Sequence, residues 1–186
     1  MITYNIDYRK IAKILKNGGV VIMPTETLYG LICDATNLKA LKKIYLIKNR
    51  PKNKAFPIVV KDLKMLKNWA EVNKEQEAII LKATKPTNFI LKAKNLPKIA
   101  MQNNTVAFRI TTSDYLQNLF RYFKKPLVAT SANLAGEKPL TDPRKYQEVF
   151  GKNSKLIEEV VFAGINRKTK GSQIIDLTVR PYKKLR

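Results

Sequence analysis

VVIMPTETLYGLIC, residues 20–33, reads as two apolar extended runs separated by a polar turn. Residues 20–24 make a buried strand and residues 29–33 a second, with Thr25, Glu26 and Thr27 between them. Upstream, YRKIAKILKN (8–17) places Ile11, Ile14 and Leu15 on one face of a short helix that Gly18-Gly19 stops. Downstream, Asn37 caps a helix whose apolar stripe of Leu38, Leu41, Ile44, Tyr45 and Ile47 ends near Lys48. The same alternation continues with a strand at 56–61, helical segments at 62–70 and 73–83, and strands at 88–93 and 105–110. Ser113 caps a helix over 114–123, and residues 126–133 form a strand that runs into a polar turn. Asp142-Pro143 opens another helix, and strands within 157–164 and 172–178 precede a basic tail. Interleaved strands and helices predict one α/β domain over residues 1–186, built on an open mixed sheet. No repeat, low-complexity tract or Gly/Ser linker divides it.

At 186 residues the chain is long enough to bury roughly 70% of its unfolded surface. Hydrophobic residues make up 45%, which excludes global disorder. There is no histidine, so no imidazole base, no Ser-His-Asp triad and no His-ligated metal is available. The single cysteine, Cys33, excludes intrachain disulfides and Cys-cluster zinc sites. Chemistry here must come from Lys, Arg, hydroxyls, carboxylates and backbone. One cysteine and a leaderless MITYNIDYRK start give the expectation of a cytoplasmic protein with no membrane partner. The net charge of +22 attracts polyanions, yet 28 lysines against 8 arginines also fits a compositional bias.

Four clusters can carry chemistry. Thr25, Glu26, Thr27 and Gly30 follow a buried strand and suit either a small polar ligand or a hydrogen-bonded turn. Lys48, Arg50, Lys52 and Lys54 crowd a helix end that Pro51 stops. They read as a phosphate site or as ordinary helix-dipole partners. Thr130, Ser131 and Asn133 form a strand-to-turn corner, able to donate to phosphate oxygens or simply to close a turn. Arg109, embedded in the apolar run TVAFRI, needs a buried anion, whether a ligand or one of the chain's own carboxylates. Ser172 and Asp176 flank a strand in the same manner.

Taken together, PTETLYGL (24–31), KNRP (48–51), TVAFRI (105–110), TSANLAG (130–136) and SQIIDL (172–177) resemble the YrdC-like family, the threonylcarbamoyl-AMP synthases. The paired Lys-x-Arg and Ser-x-Asn signature reads Lys48, Arg50, Ser131 and Asn133. The resemblance implies an open twisted sheet with helices on both faces and a central basic cavity. It implies a nucleotidyltransferase reaction in which L-threonine, bicarbonate or CO2, and ATP give threonylcarbamoyl-AMP and pyrophosphate, with Mg2+ on the pyrophosphate. The product would serve threonylcarbamoyladenosine formation at position 37 of tRNAs reading ANN codons, through a transferase complex. By similarity Lys48 and Arg50 are catalytic, and Thr27 and Arg109 contact threonine. Lys48, Arg50, Lys54, Thr105, Ser131, Asn133, Ser172 and Arg186 contact the nucleotide.

The chain departs from that pattern in places. Thr84-Lys85-Pro86-Thr87-Asn88 replaces a Pro-Gly-Pro turn, Lys54-Ala55-Phe56-Pro57 replaces an Asn/Lys-Pro-Leu run, and Pro139 and Gln173 stand where serine and threonine are usual. An alternative reading keeps the cavity but makes the protein a double-stranded RNA or tRNA binder without synthase activity. The survival of Ser131 and Asn133 on a strand corner argues for the enzyme.

Overall fold

The first four helices each begin at a side chain that takes up a free backbone N–H. Asp7 caps α1 (Tyr8–Lys16), Asn37 caps α2 (Leu38–Lys48), Asp62 caps α3 (Leu63–Trp69), and Asn73 with Gln76 forms a capping box on α4 (Lys74–Leu81). These details come from a computed structural model that describes residues 2–51, 54–166 and 171–185. The fifth helix, α5 (Asp114–Leu119), departs from expectation. Ser113 precedes it, but its hydroxyl caps nothing, and its own N–H is taken by the Thr111 hydroxyl at 3.1 Å. The segment after Asp142 is a 3-10 turn, then α6 (Tyr146–Phe150) and another 3-10 stretch, rather than one continuous helix.

Ten strands form one mixed sheet. In chain order they are β1 (Ile2–Thr3), β2 (Val21–Pro24), β3 (Tyr29–Asp34), β4 (Ile58–Val60), β5 (Thr87–Lys92), β6 (Thr105–Ile110), β7 (Leu127–Ser131), β8 (Glu159–Val161), β9 (Gln173–Asp176) and β10 (Lys183–Lys184). Their order across the sheet is β1-β8-β2-β3-β7-β4-β6-β5-β9-β10. The opening stretch of sequence is the β2–β3 hairpin, with Met23 opposite Gly30 and Pro24 opposite Tyr29. Gly30 is needed for space. A Cβ there would lie 3.2 Å from the Thr25 methyl and 3.3 Å from the Thr130 carbonyl. The two-residue edge strands β1 and β10 are too short to carry a periodic signal, and the sequence reading did not anticipate them.

The two faces of the sheet are covered differently. One face holds the larger core, where Leu41, Ile44 and Tyr45 of α2, Leu66 of α3 and Ile80 of α4 pack on Ile22, Leu31, Leu91 and Phe108. On the other face, Ile11 and Leu15 of α1 and Leu116 and Leu119 of α5, with the following Phe120 and Phe123, cover Val21, Met23, Ile32, Val59 and Leu127. That second layer stops at β4. Val59 of β4 stands beside Arg109 of β6, so the next residues on the same face are Arg109, Ala107 and Thr105 of β6, then Asn88 and Ile90 of β5, then Ile174 of β9. The fold is an open α/β sheet with helices on both faces, one face only half covered. Its bare half is the floor of a cavity.

Candidate functional site

The cavity encloses about 600 Å³, within the ordinary range for small-molecule sites. Its floor is Asn88, Ile90, Thr105, Ala107, Arg109 and Ile174. The walls come from three connecting segments: the β2–β3 turn with Thr25 and Thr27, the segment after α2 with Arg50, Phe56 and Pro57, and the corner after β7 with Ser131 and Asn133. Gly171, Ser172 and Leu185 close a further side. Among the described lining residues the charged groups are Arg50, Arg109 and Glu137.

Arg109 is 6% exposed, and the buried anion that its sequence context demanded is Glu26. The Glu26 carboxylate lies 2.6 Å from Nε of Arg109. The contact is off-line for a hydrogen bond, so its attraction is mainly coulombic. Thr111 donates its hydroxyl to the second Glu26 oxygen at 3.1 Å, and one Arg109 Nη donates to the Ser172 hydroxyl. Burial pulls the Arg109 guanidinium below its usual value, while Glu26 opposes that shift. The arginine is therefore locked at one edge, with its second Nη left for the cavity. Thr25 ties its hydroxyl to the Leu28 carbonyl at 2.7 Å and receives the N–H groups of Thr27 and Leu28, which shapes the turn. Thr27 lines the cavity from that turn, and its carbonyl accepts from Asn166 at 3.0 Å.

Arg50 is positioned by the end of α2. Asn49 takes a left-handed conformation with φ 47°, and the N–H groups of Asn49 and Arg50 return to the carbonyls of Leu46 and Tyr45. Asparagine tolerates this conformation, so the helix turns off before Pro51 is reached. The Arg50 guanidinium donates to the carbonyls of Lys54 at 3.1 Å and Ala55 at 3.0 Å, and sits 5.0 Å above the Phe56 ring. Its remaining N–H groups are available to the cavity. Burial also lowers its pKa. Thr105 returns its hydroxyl to the Gln102 carbonyl at 2.8 Å and lines the floor.

Not every residue singled out from sequence comes to the cavity surface. Lys48 lies behind it, 2% exposed, with Nζ donating to the Ser131 carbonyl at 2.7 Å, the Asn133 carbonyl at 2.8 Å and Asn133 Oδ1 at 2.9 Å. Burial, with Arg50 second, pulls its ammonium down to about 7. Lys54 is exposed, and it is its carbonyl that serves the site, accepting from Arg50 and from the Tyr45 hydroxyl. Arg186 lies outside the described residues. Conversely, Asn88 was not placed among the site residues from sequence, and Glu26 was read as part of a ligand-binding turn and not as the partner of Arg109. Glu26 carried a signal, a carboxylate between two threonines at a strand end. Asn88 is a buried polar residue on a strand, 4% exposed, with Oδ1 unpartnered.

The family model for Sua5, YciO and YrdC, described as telomere recombination, matches residues 13–186. The chain belongs to the Sua5/YciO/YrdC family. Among the relatives of this family member is the threonylcarbamoyl-AMP synthase of Neisseria meningitidis serogroup A, a nucleotidyltransferase-type enzyme. The two are 32% identical over 173 residues, covering 90% of this chain and 89% of the relative. P. abyssi Sua5 complexed with L-threonine superposes with a TM-score of 0.88 at 28% identity, covering 100% of this chain and 57% of Sua5. E. coli YciO gives a TM-score of 0.84 at 25% identity, covering 100% of this chain and 92% of YciO. The open sheet and its half-covered face are thus the Sua5/YciO/YrdC fold. Among the described residues no helix is long and apolar enough to cross a membrane, and no cluster of three or more metal-ligating carboxylates or cysteine occurs.

Proposed function

We propose that this chain is a threonylcarbamoyl-AMP synthase, using L-threonine, bicarbonate or CO2, and ATP. The observation that carries the reading is a cavity with two separately anchored guanidiniums, each with N–H groups to spare, among small hydroxyls and without an imidazole or thiol nucleophile. Arg109, held by Glu26 and Ser172, suits the amino-acid carboxylate, and Thr27 lies on the neighbouring turn for the rest of that ligand. Arg50, Thr105, Ser131 and Asn133 suit the nucleotide.

The chemistry matches these groups. The threonine nitrogen forms a bond to the carbon of CO2 or bicarbonate, losing a proton, and water leaves when bicarbonate is used. A carbamate oxygen then bonds to the α-phosphorus as the bond to pyrophosphate breaks. Both steps depend on alignment and on cations near developing negative charge rather than on a side-chain nucleophile. Mg2+ would arrive on the phosphates and neutralise them. Glu137 is the one carboxylate among the described lining residues, so an Mg2+ there would be held mainly by phosphate and water oxygens. The threonylcarbamoyl group would then pass from the adenylate to the adenosine at position 37 of tRNA through a transferase partner, with AMP as the leaving group.

The test is pyrophosphate release by purified protein. It should occur only when threonine, bicarbonate and ATP are all present. A folded protein that releases none under those conditions overturns the reading.

A further inference from the structure

Lys48 is a buried ammonium that forms no ion pair with a carboxylate among the described residues. Among the described acidic residues, those in ion pairs sit elsewhere: Glu26 with Arg109, Asp34 with Lys125, Glu75 with Arg180, Glu77 with Lys67, Asp142 with Arg144, Glu158 with Lys43, and Glu159 with Lys10. What surrounds Nζ instead is three oxygens, all from the corner after β7 and all within 2.9 Å. An ammonium has three N–H donors and no acceptor. All three are spent, so none remains for a ligand, and the side chain is absent from the cavity lining while Ser131 and Asn133 belong to it.

The corner has a defined polarity because Lys48 can only donate. Asn133 must turn Oδ1 toward it, which sends Nδ2 the other way, to the Glu137 carbonyl at 2.6 Å. With Oδ1 fixed as an acceptor, the Ser131 hydroxyl donates to the same atom at 2.6 Å. Oδ1 keeps its bond from Lys48 when Ser131 rotates away, so Ser131 can hand its proton to an incoming oxygen without leaving a buried acceptor unpaired. The backbone follows the same plan. The Lys48 carbonyl accepts from Ala135 N–H at 2.9 Å, Ala132 N–H is held by Tyr29, and Leu140 N–H returns to Ala132. One lysine thus joins the end of α2 to the turn after β7 through both its side chain and its carbonyl.

We infer that Lys48 is a positioning residue, which builds and orients the Ser131–Asn133 corner from behind and makes no contact with substrate. For the identity of the ligand this rests on the synthase reading, but the corner itself does not. The inference divides the Lys-x-Arg pair by role: Arg50 faces the ligand, and Lys48 faces the residues that face the ligand.

Lys48→Met, which keeps the chain length and removes the charge, provides the test, with Lys48→Gln as a second variant in case the first does not fold. In nucleotide-free protein, amide exchange at Ala135 and Leu140 should speed up at least about tenfold, while amides of α1 and α5 stay unchanged. Exchange at the corner that stays as slow as in the unsubstituted protein overturns the inference, whatever the cavity binds. With the unsubstituted protein, a crystal structure containing a non-hydrolysable ATP analogue should keep Nζ on its three oxygens. A phosphate oxygen within hydrogen-bond distance of Nζ overturns it too. In turnover, kcat/KM for ATP should fall about 100-fold, as expected for a misplaced binding group, with KM for threonine within twofold. Equal losses for both substrates would contradict a role confined to the corner. If the unsubstituted protein neither binds nor turns over ATP, the synthase reading fails, and the exchange measurement still decides the role of Lys48.

Discussion

The same sheet face is finished in two ways. Over β2, β3, β7 and β4 it is apolar, and α1 and α5 close it with a dry core of fully buried Leu15, Leu116, Leu119 and Phe120. Over β6, β5 and β9 the equivalent positions interleave Arg109, Thr105 and Asn88 with Ala107, Ile90 and Ile174, and the face stays open. Strand geometry is alike in both halves, with inward and outward residues alternating every second position. The difference lies in what the alternate residues are. Arg109 and Asn88 are already buried, Arg109 against Glu26 and Ser172, and a covering helix would close off the rest of this polar lining from solvent or ligand, at a cost for each group left unpaired. Apolar side chains thus call for a helix, and polar ones at the same period leave room for a ligand.

The comparison breaks most sharply at Arg109. Arg109→Ala should lower kcat/KM for threonine-dependent pyrophosphate release about 1,000-fold, near the upper end for loss of one charge-stabilising group. It also leaves Glu26 buried and unpaired, so Arg109→Ala combined with Glu26→Gln should recover stability without recovering turnover. If the double variant turns over normally, the open half is not the site.

The covered half should respond in the opposite sense. Leu116→Ala removes a fully buried side chain and should cost about 2–5 kcal/mol in denaturant unfolding. Its kcat, measured well below the unfolding midpoint, should stay within about twofold. A large loss of kcat at full folding would show that the two halves are not separable.

Lys48 sharpens the comparison through pH. Its folded value of about 7 lies below the usual lysine value of 10.5. Between these values the unfolded chain binds the extra proton, so this residue makes stability rise with pH from about 7 toward 10.5, and contributes no slope below 7. Activity should move the other way. A neutral amine has two N–H donors for three oxygens, so the corner loosens and kcat/KM for ATP falls several-fold on the alkaline side. Arg50 is the charged neighbour that helps set this value. Both slopes should vanish in Lys48→Met, as read by thermal melts and by pyrophosphate release across pH 6–9.5. Profiles with the same slopes in the variant would assign them to other groups.

The smallest effect is expected at Asn88. Its Oδ1 has no partner, so Asn88→Ala should change stability by no more than about 1 kcal/mol. Substrate affinity, measured by calorimetry, should weaken by no more than about tenfold. A larger loss of affinity would move Asn88 from the floor of the cavity to its centre.

Much of this contrast is legible in the amino-acid sequence. The hairpin at 20–33, the cap at Asn37, and the apolar stripe of α2 all follow from local periodicity and turn chemistry, which neighbouring residues determine. An arginine inside TVAFRI signalled a buried anion because a lone charge cannot stay unpaired there. Which anion it meets depends on the packing of β6 against the β2–β3 turn, 83 residues away in sequence, so Glu26 was visible as a turn residue and not as a partner. Lys48 misled for a related reason. Next to Arg50 and Lys54 it reads as part of a basic surface, yet α2 carries it under the Ser131 corner, a contact no local pattern encodes. Lys54 points the opposite way, to solvent. The edge strands β1 and β10 carry no pattern of their own and exist because β8 and β9 offer free hydrogen-bonding groups.

The claim that one half of this face is core and the other is the site is tested most directly by nuclear magnetic resonance. Uniformly labelled protein would be titrated with L-threonine and a non-hydrolysable ATP analogue while the backbone amide shifts are followed. Amides of Gly30, Arg50, Ala107, Asn88 and Ser131 should move in a saturable way, and those of α1 and α5 should stay still. Saturable shifts confined to α1 and α5, with the cavity floor silent, would contradict the account.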